Sequence, residues 1–263
     1  MNAREKRRLV AFSRELAIGA GAILKRGFSR KLRVTYKGRI DPVTDIDVKA
    51  ERYITSRIRR AYPDHDVLAE ESGDAGERSA YRWVIDPLDG TVNYAHGFPV
   101  YCVSVGLEYE GRPSLGAVYD PERNEMFWGA RGEGAFLNNR RLQVTTETRL
   151  ERAMLSTGFA YDIGTARRNN LGLFARMAKR AQAIRRPGSA AIDLCWLAAG
   201  RIDGFWELKL HPWDTAAAVV IVEEAGGKVT RLNGKPYSIF DRDLLASNRK
   251  LHAAMSAVLA VGG

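Results

Sequence analysis

The stretch Trp83-Val84-Ile85-Asp86-Pro87-Leu88-Asp89-Gly90-Thr91 decides the fold. A short apolar, β-prone run leads directly into two carboxylates three positions apart, so both acids can point into one site at a strand end. Pro87 restricts the turn, and Gly90 permits a backbone conformation closed to other residues. A helix starting near Gly90 would turn its free N–H groups outward and favour a phosphate or sulfate there. On its own the segment also fits an Asx-type turn that caps a helix.

Other acidic segments surround it. Glu70-Glu71 closes the apolar stretch Val67-Leu68-Ala69. Asp41-Pro42-Val43-Thr44-Asp45-Ile46-Asp47 supplies three more carboxylates and a hydroxyl, and Trp213-Asp214 precedes the small residues Thr215-Ala216-Ala217-Ala218. Taken singly, Glu70-Glu71 fits a solvated face, and Asp47 or Asp214 fits a helix N-cap. Taken jointly, four acidic segments beside strand ends or helix starts point to a hard-cation site. Oxygen ligands without a His or Cys cluster favour Mg²⁺, with Mn²⁺ as the alternative, over zinc.

Composition sets the outer bounds. The chain has 263 residues, of which 45% are hydrophobic and 27% charged, which are globular values and exclude long-range disorder. Its length fits one large domain or two modest ones. The longest apolar run is Ala216–Val222, far short of the roughly 20 residues of a membrane span. The basic start, Met1 to Arg8, continues through Arg14 and Glu15 and reads as a helix rather than a signal peptide. Cys102 and Cys195 sit among apolar neighbours and read as buried thiols in a reducing compartment. The expectation is a soluble cytoplasmic protein. The net charge of +10 raises nucleic acid as a partner, but the excess is scattered in pairs such as Arg59-Arg60 and Arg185-Arg186. Attraction of an anionic small substrate accounts for the same excess.

Periodicity gives the organisation. Leu9, Phe12, Leu16, Ala20, Ile23 and Leu24 predict an amphipathic helix over 3–28, with Gly27 as a stop signal. Leu32, Val34 and Tyr36 alternate with basic residues as in a strand. A second helix follows Asp47, with Ala50, Ile54 and Ile58 stacked and Pro63 closing it. Strands are expected at 83–85, 100–108, 115–119 and 126–128. Beyond 150, helices near 165–182, 189–200, 214–226 and 242–260 alternate with apolar segments at 153–156, 204–207 and 228–232. A soft boundary near 145–150 divides an N-terminal α+β half, 1–147, from a C-terminal α/β half, 148–263.

The ordered set Asp41–Asp47, Glu70-Glu71-Ser72, Asp86–Thr91 and Trp213-Asp214 resembles the inositol monophosphatase family of metal-dependent sugar phosphatases. Asn93–Pro99, Gly132–Asn138, Gly188–Leu194 and Ala199–Glu207 look like family segments too, so the match extends over most of the chain. Ala218 departs from it, standing where the family often has Gly. The resemblance implies a layered α-β-α-β-α sandwich and Mg²⁺-dependent, lithium-sensitive hydrolysis of an inositol monophosphate or related polyol phosphate by a homodimer. It implies that Glu70, Asp86 and the Leu88 carbonyl hold one Mg²⁺, that Asp86, Asp89 and Asp214 hold a second, and that Glu70 shares a weaker third. Thr91, Asp47 and Glu70 carry the catalysis in this reading. Gly90 and Thr91 hold the phosphate, while Gly188, Ser189, Glu207 and Asp214 meet the rest of the substrate.

Alternatives stay open within and outside that class. A fructose-1,6-bisphosphatase or a nucleotide 3′-phosphatase fits the same scaffold, and an RNA- or transcription-complex-binding protein is the reading from another class. Asp45-Ile46-Asp47-Val48 matches an aspartyl-nucleophile pattern, but no hydrophobic strand precedes it. An EF-hand register around Gly90 puts Ile85, Pro87 and His96 at ligand positions, which excludes it. Gly19-Ala20-Gly21 lacks the spacing of a dinucleotide loop. His65, His96, His211 and His252 show no ligand spacing and read as structural.

Overall fold

In the computed structural model, which describes residues 1–28, 34–36, 42–74 and 79–260, the acidic motif lies on an interior strand of a large sheet. Helix α1 (Ala3–Phe28) is followed by a two-stranded antiparallel pair, β1 (Val34–Tyr36) and β2 (Pro42–Thr44), and by α2 (Asp45–Ala61). Strands β3 (Asp66–Ala69), β4 (Gly73–Asp74) and β5 (Tyr81–Asp89) lead into the short α3 (Thr91–Ala95). Then come β6 (Cys102–Tyr109), β7 (Arg112–Asp120), β8 (Glu125–Ala130), β9 (Gly134–Leu137) and β10 (Arg140–Arg141). These form an eight-stranded sheet in the order β10-β9-β8-β7-β6-β5-β3-β4, antiparallel except for the β3/β5 pair.

The C-terminal half contains β11 (Met154–Thr157), α4 (Leu171–Ala178), β12 (Ala183–Arg185), α5 (Ala190–Ala198) and β13 (Gly204–Leu208). It closes with α6 (Pro212–Glu224), β14 (Lys228–Thr230), β15 (Asp243–Ser247) and α7 (His252–Ala260). Its five-stranded sheet runs β12-β11-β13-β15-β14, with β11 parallel to both neighbours and β15 antiparallel to its own.

Five layers result, as the resemblance implies. Helices α1 and α2 cover the outer face of the large sheet through Leu9, Leu16, Leu24, Ile54 and Ile58, all buried against Trp83, Ile85 and Val105. Helices α5 and α6 fill the space between the two sheets, and their apolar residues share one core with Phe127, Phe205 and Ala246. On the far side, Met177 of α4 and Met255 of α7 pack with Trp206 and Leu245. The run Ala216–Val222 forms the buried body of α6, which explains its lack of a polar face: it has a sheet on one side and α5 on another.

Small residues set how deeply α6 enters. A Cβ at Gly116 would stand 2.2 Å from the Ala217 carbonyl oxygen, and one at Gly106 would stand 2.9 Å from the Ala217 amide. The helix backbone therefore rests almost directly on β6 and β7, and its N-terminus, carrying Asp214, is brought toward the end of β5.

Several sequence expectations need correction. Strand β5 does not end before the acidic motif but runs through it to Asp89, with a register shift against β6 between Asp86 and Asp89. Helix α1 spans Ala3–Phe28 as expected, but Gly27 is a buried residue within its last turn, where a Cβ would stand 2.5 Å from the Tyr94 hydroxyl. Helix α2 starts two residues before Asp47. The stretch 242–260 is strand β15 and then α7 rather than one helix. Leu32 and Asp41 lie outside the described residues.

Candidate active site

The site is assembled from the C-terminal end of β5, the start of α3, the N-terminus of α6 and the loops before α5 and after β11. These elements enclose a cavity of about 500 Å³. Glu70, Asp86, Leu88, Asp89, Gly90, Thr91, Gly188, Ser189, Glu207 and Asp214 all line it. Ten of the eleven residues singled out for the site thus line one cavity. The eleventh, Asp47, reaches it through Thr91.

Local structure explains each position. The shift in register after Asp86 turns both Asp86 and Asp89 toward the cavity, and the Leu88 amide donates to Asp86 Oδ1 at 2.9 Å. Gly90 has φ of 98°, a left-handed conformation that lets β5 pass directly into α3. A Cβ there would also stand 2.8 Å from the Val100 carbonyl. Asn93 ties this turn to the loop before α5, donating to the Val100 and Pro187 carbonyls at 2.8 Å each.

Asp47 and Asp214 play the same local part on two helices. Neither is an N-cap. Thr44 caps α2, and Asp47 in its first turn accepts the Thr44 amide at 2.9 Å and the Thr44 hydroxyl through Oδ2. Asp214 sits likewise in the first turn of α6 and accepts the His211 amide at 2.7 Å, after Pro212 at a position that suits proline. The other oxygen of Asp47, Oδ1, lies 3.3 Å from the Thr91 hydroxyl, which also donates to the Leu88 carbonyl at 3.0 Å. A hydroxyl has one proton, so Thr91 serves these two acceptors alternately and can accept a hydrogen bond from water.

The electrostatics are dominated by mutual repulsion of acids in a dry setting. Burial, and then the charges of Glu70, Asp89 and Asp214, push Asp86 well above the usual carboxylate range. Burial and Asp89 do the same to Asp214 and raise Glu207 to about 8. Asp89 is raised by burial, against hydrogen bonds from Ser189 and Ala191 that favour its charged form. Burial lifts Asp47 to about 6.

Such a cluster needs either protons or cations to coexist at neutral pH. All its donors are oxygens, which suits a hard divalent ion. Among the described residues no three acidic, His or Cys side chains already stand as a closed ligand group. The fit therefore rests on donor chemistry and uncompensated charge.

The profile of the inositol monophosphatase family matches residues 5–260. The chain belongs to that family. It is 45% identical to the "Inositol-1-monophosphatase" of Synechocystis, over 94% of this chain and 86% of the relative. It is 41% identical to the "Nus factor SuhB" of Pseudomonas aeruginosa, over 91% of both chains. The solved inositol monophosphatase of Anabaena superposes with a TM-score of 0.89 at 41% identity, covering 97% of this chain and 96% of that one. As an inositol monophosphatase family member the chain is a phosphatase for phosphomonoesters, and the family is metal-dependent.

Structure changes the part of some residues and adds others that the sequence did not single out. Ser189, expected to meet substrate, donates its proton to Asp89 Oδ2 at 2.7 Å while capping α5. His211, expected to be structural, lines the cavity with its ring stacked on Trp213 at 4.8 Å. Phe159, Tyr161, Asp162, Arg186, Lys209 and Arg242 also line the cavity. His65 and His252 are structural as expected: one packs against Tyr81 and Trp83, the other bonds Thr230 and Ser247. Cys102 and Cys195 are free and buried, and no described helix is long and apolar enough to cross a membrane.

Proposed function

We propose that this phosphatase hydrolyses an inositol monophosphate or a closely related polyol phosphate with Mg²⁺, Mn²⁺ being the alternative ion. The observation that carries the proposal is the meeting of Asp86 and Asp89, from the end of β5, with Asp214, from the start of α6, on one cavity whose acids repel one another. Glu70, Asp86 and the Leu88 carbonyl would hold one ion and Asp86, Asp89 and Asp214 a second, with a weaker third shared by Glu70. Bound there, divalent ions neutralise phosphate charge and lower the pKa of water.

The protein's own groups do the rest. The amides of Gly90 and Thr91 hold the phosphate. Thr91 accepts a hydrogen bond from the attacking water and passes its own proton toward Asp47 Oδ1, while Oδ2 stays fixed by Thr44. Asp47 is the base, and water attacks phosphorus directly with inversion, without a phosphoenzyme. Glu207 and Gly188 face the polyol hydroxyls, and Ser189 fixes Asp89.

The same reading includes lithium sensitivity, a cytoplasmic location supported by two free thiols, and a homodimer, with a solution mass about twice 29.2 kDa. A phosphate-release screen over inositol phosphates, fructose 1,6-bisphosphate and adenosine 3′,5′-bisphosphate, with and without Mg²⁺, tests it. A second reading, a transcription-complex partner, is favoured by the relative named "Nus factor SuhB" and by the net charge of +10. Absence of release from every phosphomonoester would favour that reading.

A further inference from the structure

Cations that are scattered along the sequence are gathered by the fold. On α1 the exposed residues from Arg4 to Arg26 recur at three-, four- and seven-residue spacing, which puts Arg4, Arg7, Arg8, Lys25 and Arg26 on one stripe. On α2, Lys49, Arg52, Arg57, Arg59 and Arg60 are exposed on the side opposite the buried Ile54 and Ile58. The two helices pack on each other and on the outer face of the large sheet, so their exposed sides form one layer. Ten exposed cations stand there against one exposed acid, Glu15. The whole chain nets +10, so the rest of the molecule is close to neutral.

Local partners account for four of the ten. Lys49 pairs with Asp45 at 2.5 Å, Lys25 donates to the Pro121 carbonyl at 2.8 Å, and Arg8 and Arg57 lie over the rings of Tyr62 and Tyr53. Arg4, Arg7, Arg26, Arg52, Arg59 and Arg60 engage no partner among the described residues. Neighbouring cations repel one another, and an anionic surface laid against them relieves that repulsion. Guanidinium forks suit phosphate oxygens in particular.

The shape and chemistry of the layer select the surface. Two copies of so basic a face repel, so a second copy of this chain does not cover it. Helix α1 has 26 residues and is about 39 Å long, so its cations address an extended surface rather than a point ligand. None of the aromatic residues of the two helices is among the exposed ones, whereas single-stranded nucleic acid is held by stacking its bases on rings. The one large apolar side chain exposed on these helices is Ile18, 46% exposed on the α1 stripe. Arginines around an aliphatic side chain match the headgroups and interface of a charged bilayer.

We propose that the outer layer formed by α1 and α2 docks the protein on the surface of an anionic lipid bilayer, with Ile18 entering the headgroup region. No residue lining the active-site cavity comes from either helix, so docking through this layer covers none of them.

The test is co-sedimentation with vesicles of phosphatidylcholine alone and of phosphatidylcholine mixed equally with phosphatidylglycerol, in about 0.15 M salt, alongside binding of a single-stranded RNA of mixed sequence. The wild type should bind the mixed vesicles, ignore pure phosphatidylcholine, and be released as salt is raised to about 0.5 M. The combined variant Arg4→Gln, Arg52→Gln, Arg59→Gln and Arg60→Gln should lower the partition coefficient at least about a hundredfold. A charge-matched variant elsewhere on the exposed surface, Arg140→Gln, Arg167→Gln, Lys179→Gln and Arg180→Gln, should lower it less than about threefold, because distant charges are screened. Ile18→Gln leaves the charge unchanged and should weaken binding about fivefold. Glutamine suits exposed helix positions, so the variants of this layer should keep the wild-type Tm and phosphate release. No binding to the mixed vesicles, or equal losses in the two fourfold variants, would overturn the proposal. Unchanged binding of Ile18→Gln would overturn the entry of that side chain into the headgroups. RNA bound through this layer while vesicles are ignored would overturn the docking and assign the layer to nucleic acid.

Discussion

The Ser189 hydroxyl donates to Asp89 Oδ2 at 2.7 Å, joining the N-cap of α5 to the end of β5. The Ala191 amide reaches the same oxygen at 2.7 Å, so the first turn of α5 holds the carboxylate through two donors. One serine therefore terminates a helix, orients an acid of the proposed ion site and locks the two halves of the chain together.

Replacing Ser189 by Ala should act on both fold and site. Loss of an N-cap costs about 0.5–2 kcal/mol, which for a chain of this size lowers Tm by a few degrees. Asp89 then loses one of its fixing bonds, so half-maximal activation should need about tenfold more Mg²⁺, with Ser189→Thr restoring most of it. An unchanged activation curve in the alanine variant would show that Ser189 serves only the helix.

The contact of α6 with the large sheet predicts a distant effect on activity. Gly116→Ala places a methyl group 2.2 Å from the Ala217 carbonyl oxygen, and backbone on both sides leaves no flexible neighbour to yield. Overpacking of this type costs about 1–3 kcal/mol. Because α6 carries Asp214, the variant should also lose activity in proportion to the shift of the helix. A fall in Tm with full activity would show that Asp214 is placed by other contacts.

The proton path through Thr91 predicts a particular kinetic signature. Thr91→Ala and Asp47→Asn should each lower kcat by about 10²–10⁴-fold, the usual worth of general-base assistance, with KM changed little. A double variant should be no worse than the poorer single, since both act on one proton. Trapping of a phosphoenzyme, or retention of configuration at phosphorus, would instead assign an enzyme nucleophile.

The legible part of the site was local in the chain. Asp86 to Thr91 could be read because its strand, turn and acids are consecutive, and Glu70, Asp47 and Asp214 because each adjoins an element boundary. Lys209, Asp162 and Arg242 gave no such signal: each is an ordinary surface-type residue brought to the cavity by folding. The expected helix over 242–260 takes in Asp243–Ser247, because the short apolar core Leu244-Leu245-Ala246 shows no period that separates strand from helix. Nothing in the sequence reveals that Tyr94 packs where a side chain at Gly27 would be.

Stability without metal should depend on pH in an unusual direction. The folded-state values of Asp47, about 6, and Glu207, about 8, lie above their ordinary 3.8 and 4.5, and Asp86 and Asp214 are also raised. Raised acids stabilise the fold fully below their unfolded values and lose that contribution as pH rises through the folded ones. Chelator-treated protein should therefore melt at a higher temperature at pH 5 than at pH 8, and Mg²⁺ should restore the loss at pH 8. A Tm that rises from pH 5 to pH 8 without metal would contradict this account of the acids.

The most direct test of the central claim is a Mg²⁺ titration of chelator-treated enzyme, following phosphate release from inositol 1-phosphate alongside Tm. The wild type should be inactive without metal and gain activity and Tm together along a saturable curve. Asp214→Asn should stay folded, show little Tm gain and turn over at least about a hundredfold more slowly. Equal release with and without Mg²⁺, or full activation of Asp214→Asn, would contradict the assignment of this cavity as the metal-dependent active site.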